Sequence, residues 1–144
     1  LILYRMADVL LMKAEALIWK GGETHWTEAL ELINRIRVRA NVPELQVNFT
    51  EATELSMLQI LLEERDLELA GENKRWYDLV RFGKSKNFAY KKEFIEIITE
   101  NNNSANPNWL RSVLENEYAW YLPIHNSEIE ANELLEQNPY YQTN

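Results

Sequence analysis

The sequence contains no cysteine, so disulfides, thiolate-bound metals, iron–sulfur centres and thiol nucleophiles are excluded. Histidine is almost missing as well. His25 and His125 lie about a hundred residues apart, and no local pair has the spacing of metal ligands. Basic charge is in deficit: 15 Lys and Arg stand against 23 Asp and Glu, a net charge of −8. A duplex-binding protein needs a basic face to displace counterions from phosphates, so nucleic acid is excluded as a partner. No apolar run approaches the roughly 20 residues of a membrane-spanning helix. Phosphate loops, dinucleotide fingerprints and nucleophile elbows are missing, and neither a cofactor nor a metal is expected.

What is present is ample apolar material. Hydrophobic residues make up 46% of the chain and aromatics 11%, which excludes a disordered chain. A chain of 144 residues buries about 70% of its unfolded surface, enough for a single domain over residues 1–144. It opens at Leu1-Ile2-Leu3-Tyr4-Arg5-Met6, already inside an amphipathic pattern and without a capping residue. The simplest reading is the C-terminal part of a longer protein, with any export signal or lipid anchor outside this segment.

Hydrophobic spacing predicts a helix over Leu3–Lys20, with Met6, Val9, Leu10, Ala14 and Leu17 on one face and Ala7 and Leu11 widening it. Gly21-Gly22 stop it, and Thr24, with Glu28, is the expected cap of the next helix. That helix runs from Trp26 to Asn41. Ala29, Leu30, Leu32, Ile33, Ile36 and Ala40 point inward, and Glu31, Arg35 and Arg39 are spaced as i,i+4 pairs. The two helices make a hairpin over residues 1–41 of about the tetratricopeptide length. A longer helix, the longest expected, starts at Thr50 or Thr53 and runs to Gly71, burying Leu55, Leu58, Leu61, Leu62, Arg65, Leu69 and Ala70. Asn73 is suited to a left-handed turn before a short helix, Arg75–Phe82, closed by Gly83. Phe88–Thr99 reads as a helix or a strand pair, and Glu100–Asn108 as a surface loop. Tyr118–Leu122 alternates like a short strand, and Ser127 caps a last helix over Glu128–Leu135. The tail Gln137–Tyr141 is a turn that must dock its aromatics. The class is mainly α.

Three constellations invite chemistry. Glu64 and Glu68 share a helix face, and two carboxylates about 5–9 Å apart suit glycoside hydrolysis, but Arg65, Lys74 and Arg75 nearby favour structural ion pairs. Arg75-Trp76-Tyr77-Asp78 puts Arg75 and Asp78 at i,i+3, either as a stacking platform for a ring-shaped ligand or as a buried Arg–carboxylate network under an aromatic lid. Trp109, beside the asparagine-rich loop, fits a carbohydrate contact because sugar faces stack on indole and hydroxyls seek amides. No catalytic residue is assigned.

The sequence resembles the C-terminal region of the SusD/RagB family, the surface lipoproteins with which Bacteroidetes capture nutrients, typically glycans. One block is Tyr4-Arg5-Met6-Ala7-Asp8-Val9-Leu10-Leu11-Met12-Lys13-Ala14-Glu15-Ala16, continued by Ala29-Leu30-Glu31-Leu32-Ile33-Asn34-Arg35-Ile36-Arg37-Val38-Arg39-Ala40. The most specific is Glu63-Glu64-Arg65 with Glu68-Leu69-Ala70-Gly71-Glu72-Asn73-Lys74-Arg75-Trp76-Tyr77-Asp78-Leu79-Val80-Arg81-Phe82-Gly83. The last is Leu122-Pro123-Ile124, Glu128-Ile129 and Gln137-Asn138-Pro139 with Tyr141. Asn73 and Tyr140 stand where the family usually has glycine, and His125 where it has a second proline.

The resemblance implies a SusD-like, tetratricopeptide-containing fold and a non-enzymatic binding protein on the outer membrane, lipid-anchored outside this segment. It implies an oligosaccharide or other nutrient ligand and a SusC-like TonB-dependent transporter as partner. Arg65, Glu68, Arg75, Trp76 and Asp78 then read as a structural motif, and no family binding residue transfers to a numbered position. An acidic surface suits neutral sugars better than sulfated or uronic polymers. The alternatives are a pure interaction module docking the transporter and a glycosidase using Glu64 and Glu68.

Overall fold

The computed structural model describes residues 4–100, 106–132 and 134–142. They form α1 (Met6–Lys20), α2 (Glu23–Arg39), α3 (Glu54–Glu68), α4 (Arg75–Phe88), α5 (Lys91–Glu100), α6 (Pro107–Leu114) and α7 (Asn126–Ala131). Two 3₁₀ turns, Glu117–Trp120 and Pro139–Tyr141, complete the set, and no strand occurs among the described residues. The fold is mainly α, as expected. The chain divides into two compact units, Leu1–Leu79 and Val80–Asn144.

In the first unit, Gly21 (φ +72°) and Gly22 (φ +85°) turn the chain between α1 and α2 in a region that residues with a Cβ avoid. The helices run antiparallel: the Trp26 indole donates to the Ile18 carbonyl at 3.1 Å, and Glu28 pairs with Lys13 at 2.7 Å. Thr24 lies inside the first turn of α2 and caps nothing, because Gly22 holds the cap position and makes no side-chain bond. The helix ends at Arg39, and Asn41 takes a left-handed φ of +58°. Asn34 holds the irregular segment after α2 through both its amide atoms, at 3.0 and 2.8 Å from Leu45, and Arg37 adds a bond to the Pro43 carbonyl at 2.8 Å.

The buried stripe of α1 is Ala7, Leu11, Ala14, Leu17 and Ile18; Met6 and Val9 are exposed. The helix is apolar on two sides, so spacing predicted an amphipathic helix without deciding which stripe faces inward. That stripe meets Ala29, Leu30, Ile33 and Ile36 of α2, where Ala40 is exposed, and Met57, Leu58, Leu61 and Leu62 of α3. Thr53 begins α3 with a capping box, its hydroxyl accepting from Ser56 N–H at 3.1 Å and its own N–H donating to Ser56 Oγ at 2.9 Å. At 15 residues α3 is shorter than the 17 of α2, and Ala70 just beyond it is exposed.

The second unit departs further from expectation. The right-handed turns of α4 run only one residue past Gly83, to Lys84: Ser85 is extended, and Lys86, Asn87 and Phe88 are left-handed. Gly83 also permits a close approach, since a Cβ there would lie 2.9 Å from Phe94 Cβ and Cγ. Residues 91–100 form one helix, not a strand pair. Phe94 packs on Trp120 with centroids 4.1 Å apart, Phe88 meets the same indole edge-on at 5.8 Å, and Phe82 stacks on Tyr90 at 5.2 Å. Trp120 is 1% exposed and donates its indole N–H to the Leu114 carbonyl at 2.8 Å.

The strand expected at Tyr118–Leu122 is a 3₁₀ turn, because Asn116 caps it through Tyr118 N–H at 3.0 Å and Trp120 turns inward. Asn106 caps α6 at Trp109 N–H, 3.0 Å, so helix begins inside the segment expected to be loop; residues 101–105 of that loop lie outside the described residues. His125, not Ser127, caps α7, accepting from Ser127 N–H at 3.3 Å, and α7 ends at Ala131 rather than Leu135.

Candidate functional site

The densest polar constellation lies in Leu1–Leu79. It begins with Arg65, which α3 carries on its buried side beside Leu61, Leu62 and Leu69. A guanidinium in such a place needs acceptors for its N–H groups. Asp78, in the first turn of α4, supplies two: Arg65 Nε and Nη2 donate to its oxygens at 2.7 and 2.9 Å, the parallel fork of a bidentate pair. Both side chains are 4% exposed. The chain reaches that geometry through the turn between α3 and α4, where Gly71 (φ +79°) and Asn73 (φ +57°) are left-handed.

Asp8 of α1 adds a second carboxylate. Its Oδ1 sits 3.0 Å from Arg65 Nη1, misaligned for a hydrogen bond and therefore acting through charge. Its Oδ2 accepts from Lys74 Nζ at 2.5 Å. Burial works to raise the Asp8 carboxyl, but the Lys74 hydrogen bond and the Arg65 charge outweigh it and hold Asp8 below the ordinary aspartate value. Lys74 is raised in return, chiefly by Asp8 and against its own desolvation.

Around this core lie further pairs. Glu64 accepts from Arg37 of α2 at 2.8 Å. Glu68 accepts from Arg39 at 2.5 and 2.6 Å and from Arg5, which also donates to the Glu68 carbonyl and to Glu72 at 2.7 Å. The Arg5 hydrogen bond holds the Glu72 carboxyl low, and Glu68 raises Arg5. Arg75 donates to the Leu62 carbonyl at 2.7 Å and lies 3.4 Å from Asp66.

The structure thus brings Arg65, Glu68, Arg75 and Asp78 into one region but repartners them. Asp78 takes Arg65, thirteen residues away, as its bidentate partner, and Arg75 reaches back to α3. Arg39 pairs across to α3 and not along its own helix. Trp76 is 39% exposed and Tyr77 71%, so the aromatic residues do not form a sealed lid. Glu64 and Glu68 do share a helix, and each is paired with a guanidinium, Glu64 with Arg37 at 2.8 Å and Glu68 with Arg39 at 2.5 Å.

Sequence reasoning missed Asp8 and Arg37, and it named Lys74 as an ion-pairing residue without its partner Asp8. The signal for Asp8 was legible, since it is a carboxylate between Ala7 and Leu11 on an apolar stripe. Trp109 stands apart from these residues in the sequence, in the first turn of α6, 60% exposed. Among the described residues no group of three or more His, Cys, Asp or Glu comes together as metal ligands, and no helix is long and apolar enough to cross a membrane.

A helical scaffold whose elements are tied by arginine–carboxylate pairs is the class these observations define. The chain matches the SusD family (SusD_RagB) across residues 1–141, and it belongs to that family. Relatives include SusD-like protein P38 of Formosa agariphila, 44% identical over an alignment of 92 residues that covers 59% of this chain and 17% of that protein. SusD-like proteins P2 and P25 of the same organism are 42% and 35% identical over 84 and 82 residues, covering 54% and 57% of this chain and 16% and 15% of those proteins. The chain therefore spans about a sixth of the curated relatives it matches. No solved structure matches it significantly.

Proposed function

We propose that this chain is the scaffold part of a non-enzymatic surface protein that captures glycans or related nutrients. The protein is lipid-anchored at the outer membrane and hands its ligand to a SusC-like TonB-dependent transporter. The observation that carries the reading is the match to the SusD family over residues 1–141. The named residues support it in kind. Arg65, Glu68, Arg75 and Asp78 serve as an internal clasp, Arg65 bonded to Asp78, Glu68 to Arg39 and Arg75 to the Leu62 carbonyl, and Trp76 lies next to Arg75 in the chain. In this reading ligand is bound and released unchanged. Trp109, exposed beside the amide of Asn106, is a candidate carbohydrate contact.

The test is a titration of the full-length protein against a panel of neutral, uronic and sulfated polysaccharides, with the products analysed for cleavage. Binding of at least one neutral glycan without new reducing ends is expected. Hydrolysis that Glu68→Gln abolishes would restore the glycosidase reading, and tight binding of peptides with no binding of any glycan would end the sugar assignment.

A further inference from the structure

The bend between α4 and α5 holds the most unusual backbone in Val80–Asn144. Lys86 (φ +49°, ψ +45°), Asn87 (φ +56°, ψ +54°) and Phe88 (φ +64°) are three consecutive left-handed residues, none of them glycine. A residue with a Cβ disfavours that region about five- to thirtyfold against the right-handed one, and such residues ordinarily occur singly. Lys86 and Asn87 are exposed, so burial of their own side chains does not offset the strain.

What offsets it lies on either side of the bend. Phe82, Gly83 and Lys84 each touch a group beyond it: Phe82 stacks on Tyr90 at 5.2 Å, Gly83 lies against Phe94, and Lys84 Nζ donates to the Tyr121 hydroxyl at 2.7 Å. Within the bend, Phe88 meets the Trp120 indole edge-on and Ser85 Oγ donates to the Phe82 carbonyl at 2.5 Å. Yet the same sequence is in register for a helix with no bend. Val80, Gly83, Asn87, Tyr90, Phe94 and Ile97 follow one another at steps of three and four, a single stripe that no proline interrupts. A straight helix relieves all three left-handed residues. At 1.5 Å per residue, it also parts Gly83 from Phe94 by about 16 Å and Phe82 from Tyr90 by about 12 Å.

Strain and contacts therefore pull in opposite directions. We propose that residues 85–88 are a conformational latch. In the closed form the bend is held by the contacts of Phe82, Gly83 and Lys84; in the open form α4 and α5 join into one straight helix, and Phe94 loses the cover of Gly83.

The experiment uses the full-length protein with its only free cysteines at Arg81→Cys and Glu100→Cys, two exposed positions, each carrying a spin label. The straight helix sets the two backbones about 28 Å apart, whereas the Gly83–Phe94 contact keeps them below about 21 Å in the bent form. Asn87→Ala with Tyr121→Phe favours the straight helix and removes the Lys84 bond, at two positions outside the core. It is expected to raise the ratio of long to short distances about tenfold. Lys86→Gly and Asn87→Gly, added to Tyr121→Phe, accept the left-handed bend and weaken the straight helix, and they are expected to lower that ratio at least about tenfold. A short distance alone in the Asn87→Ala, Tyr121→Phe protein overturns the latch, as does a long one that the glycines fail to suppress. A broad distribution without a peak near 28 Å means local unfolding and overturns it as well.

Discussion

In Leu1–Leu79 most of the side chains that tie segments together beyond the aliphatic core are charged: Asp8 to Lys74 and Arg65, Arg37 to Glu64, Arg5 and Arg39 to Glu68. In Val80–Asn144 the buried ties are aromatic, with Phe88 and Phe94 on Trp120 and Tyr90 on Phe82, and the Lys91 ammonium bonds the Glu115 carbonyl at 2.6 Å from outside that cluster. The difference teaches what each chemistry specifies. A bidentate guanidinium accepts one register of its partner and penalises any slip, because a slipped pair strands buried charge. Rings tolerate a range of tilts, and here the interplanar angles run from 4° to 67°. Register in the aromatic unit comes instead from short side-chain caps at Asn106, Asn116, His125 and Asn138.

The largest expected effects test that contrast directly. Arg65→Met removes the partner of Asp78 and leaves a buried carboxylate unpaired, an expected loss of about 3–5 kcal/mol in urea unfolding. Trp120→Ala opens a cavity beneath Phe94 and Phe88, also costing about 3–5 kcal/mol. Restoring apolar volume separates the two: Arg65→Met with Asp78→Leu regains most of its loss, because the charge goes with its partner. A double variant as unstable as Arg65→Met alone would mean that the ion pair does more than neutralise itself. Smaller, and opposite to propensity, is Gly83→Ala. In an open helix the change stabilises by up to about 1 kcal/mol. Here the new methyl meets Phe94 Cβ and Cγ at 2.9 Å, and a net loss of about 1–3 kcal/mol is expected. A rise in stability would show that Phe94 can yield.

These contacts also explain what the sequence disclosed. The three helices of the first unit, the Gly21-Gly22 hairpin, a helix start at one of the two threonines Thr50 and Thr53, and the left-handed Asn73 follow from local rules, and they were legible. The partners of Arg65 and Arg75 were not, because i,i+3 spacing favours the local pairing of Arg75 with Asp78 and says nothing about a carboxylate thirteen residues from Arg65. Gly83 was half legible: the helix breaks at Ser85, close to where that glycine predicts an end, but its close approach to Phe94 leaves no mark in the sequence. The strand expected at Tyr118–Leu122 failed because alternation over five residues cannot reveal that Asn116 caps a turn.

Acid should reveal the contrast with the least perturbation. Asp8 and Glu72 are both held below their ordinary values, Asp8 by Lys74 and Arg65 against its burial and Glu72 chiefly by Arg5. A carboxyl lowered in the folded state stabilises fully above its unfolded value, and that contribution disappears as pH falls through the lowered one. The loss therefore belongs below about pH 4. The rings of Phe88, Phe94 and Trp120 carry no titrating group there. Segment-resolved hydrogen exchange, corrected for the intrinsic pH dependence of the amide rate, is expected to show α1 and α3 losing protection before α5 as pH drops from about 5 to 2. Lys74, raised by the same pair, works in the other direction: its share is complete below the ordinary lysine value and fades only as pH climbs through the raised one. Protection lost first from α5 would place the acid-sensitive contacts in the aromatic unit and reverse the assignment of chemistry to the two halves.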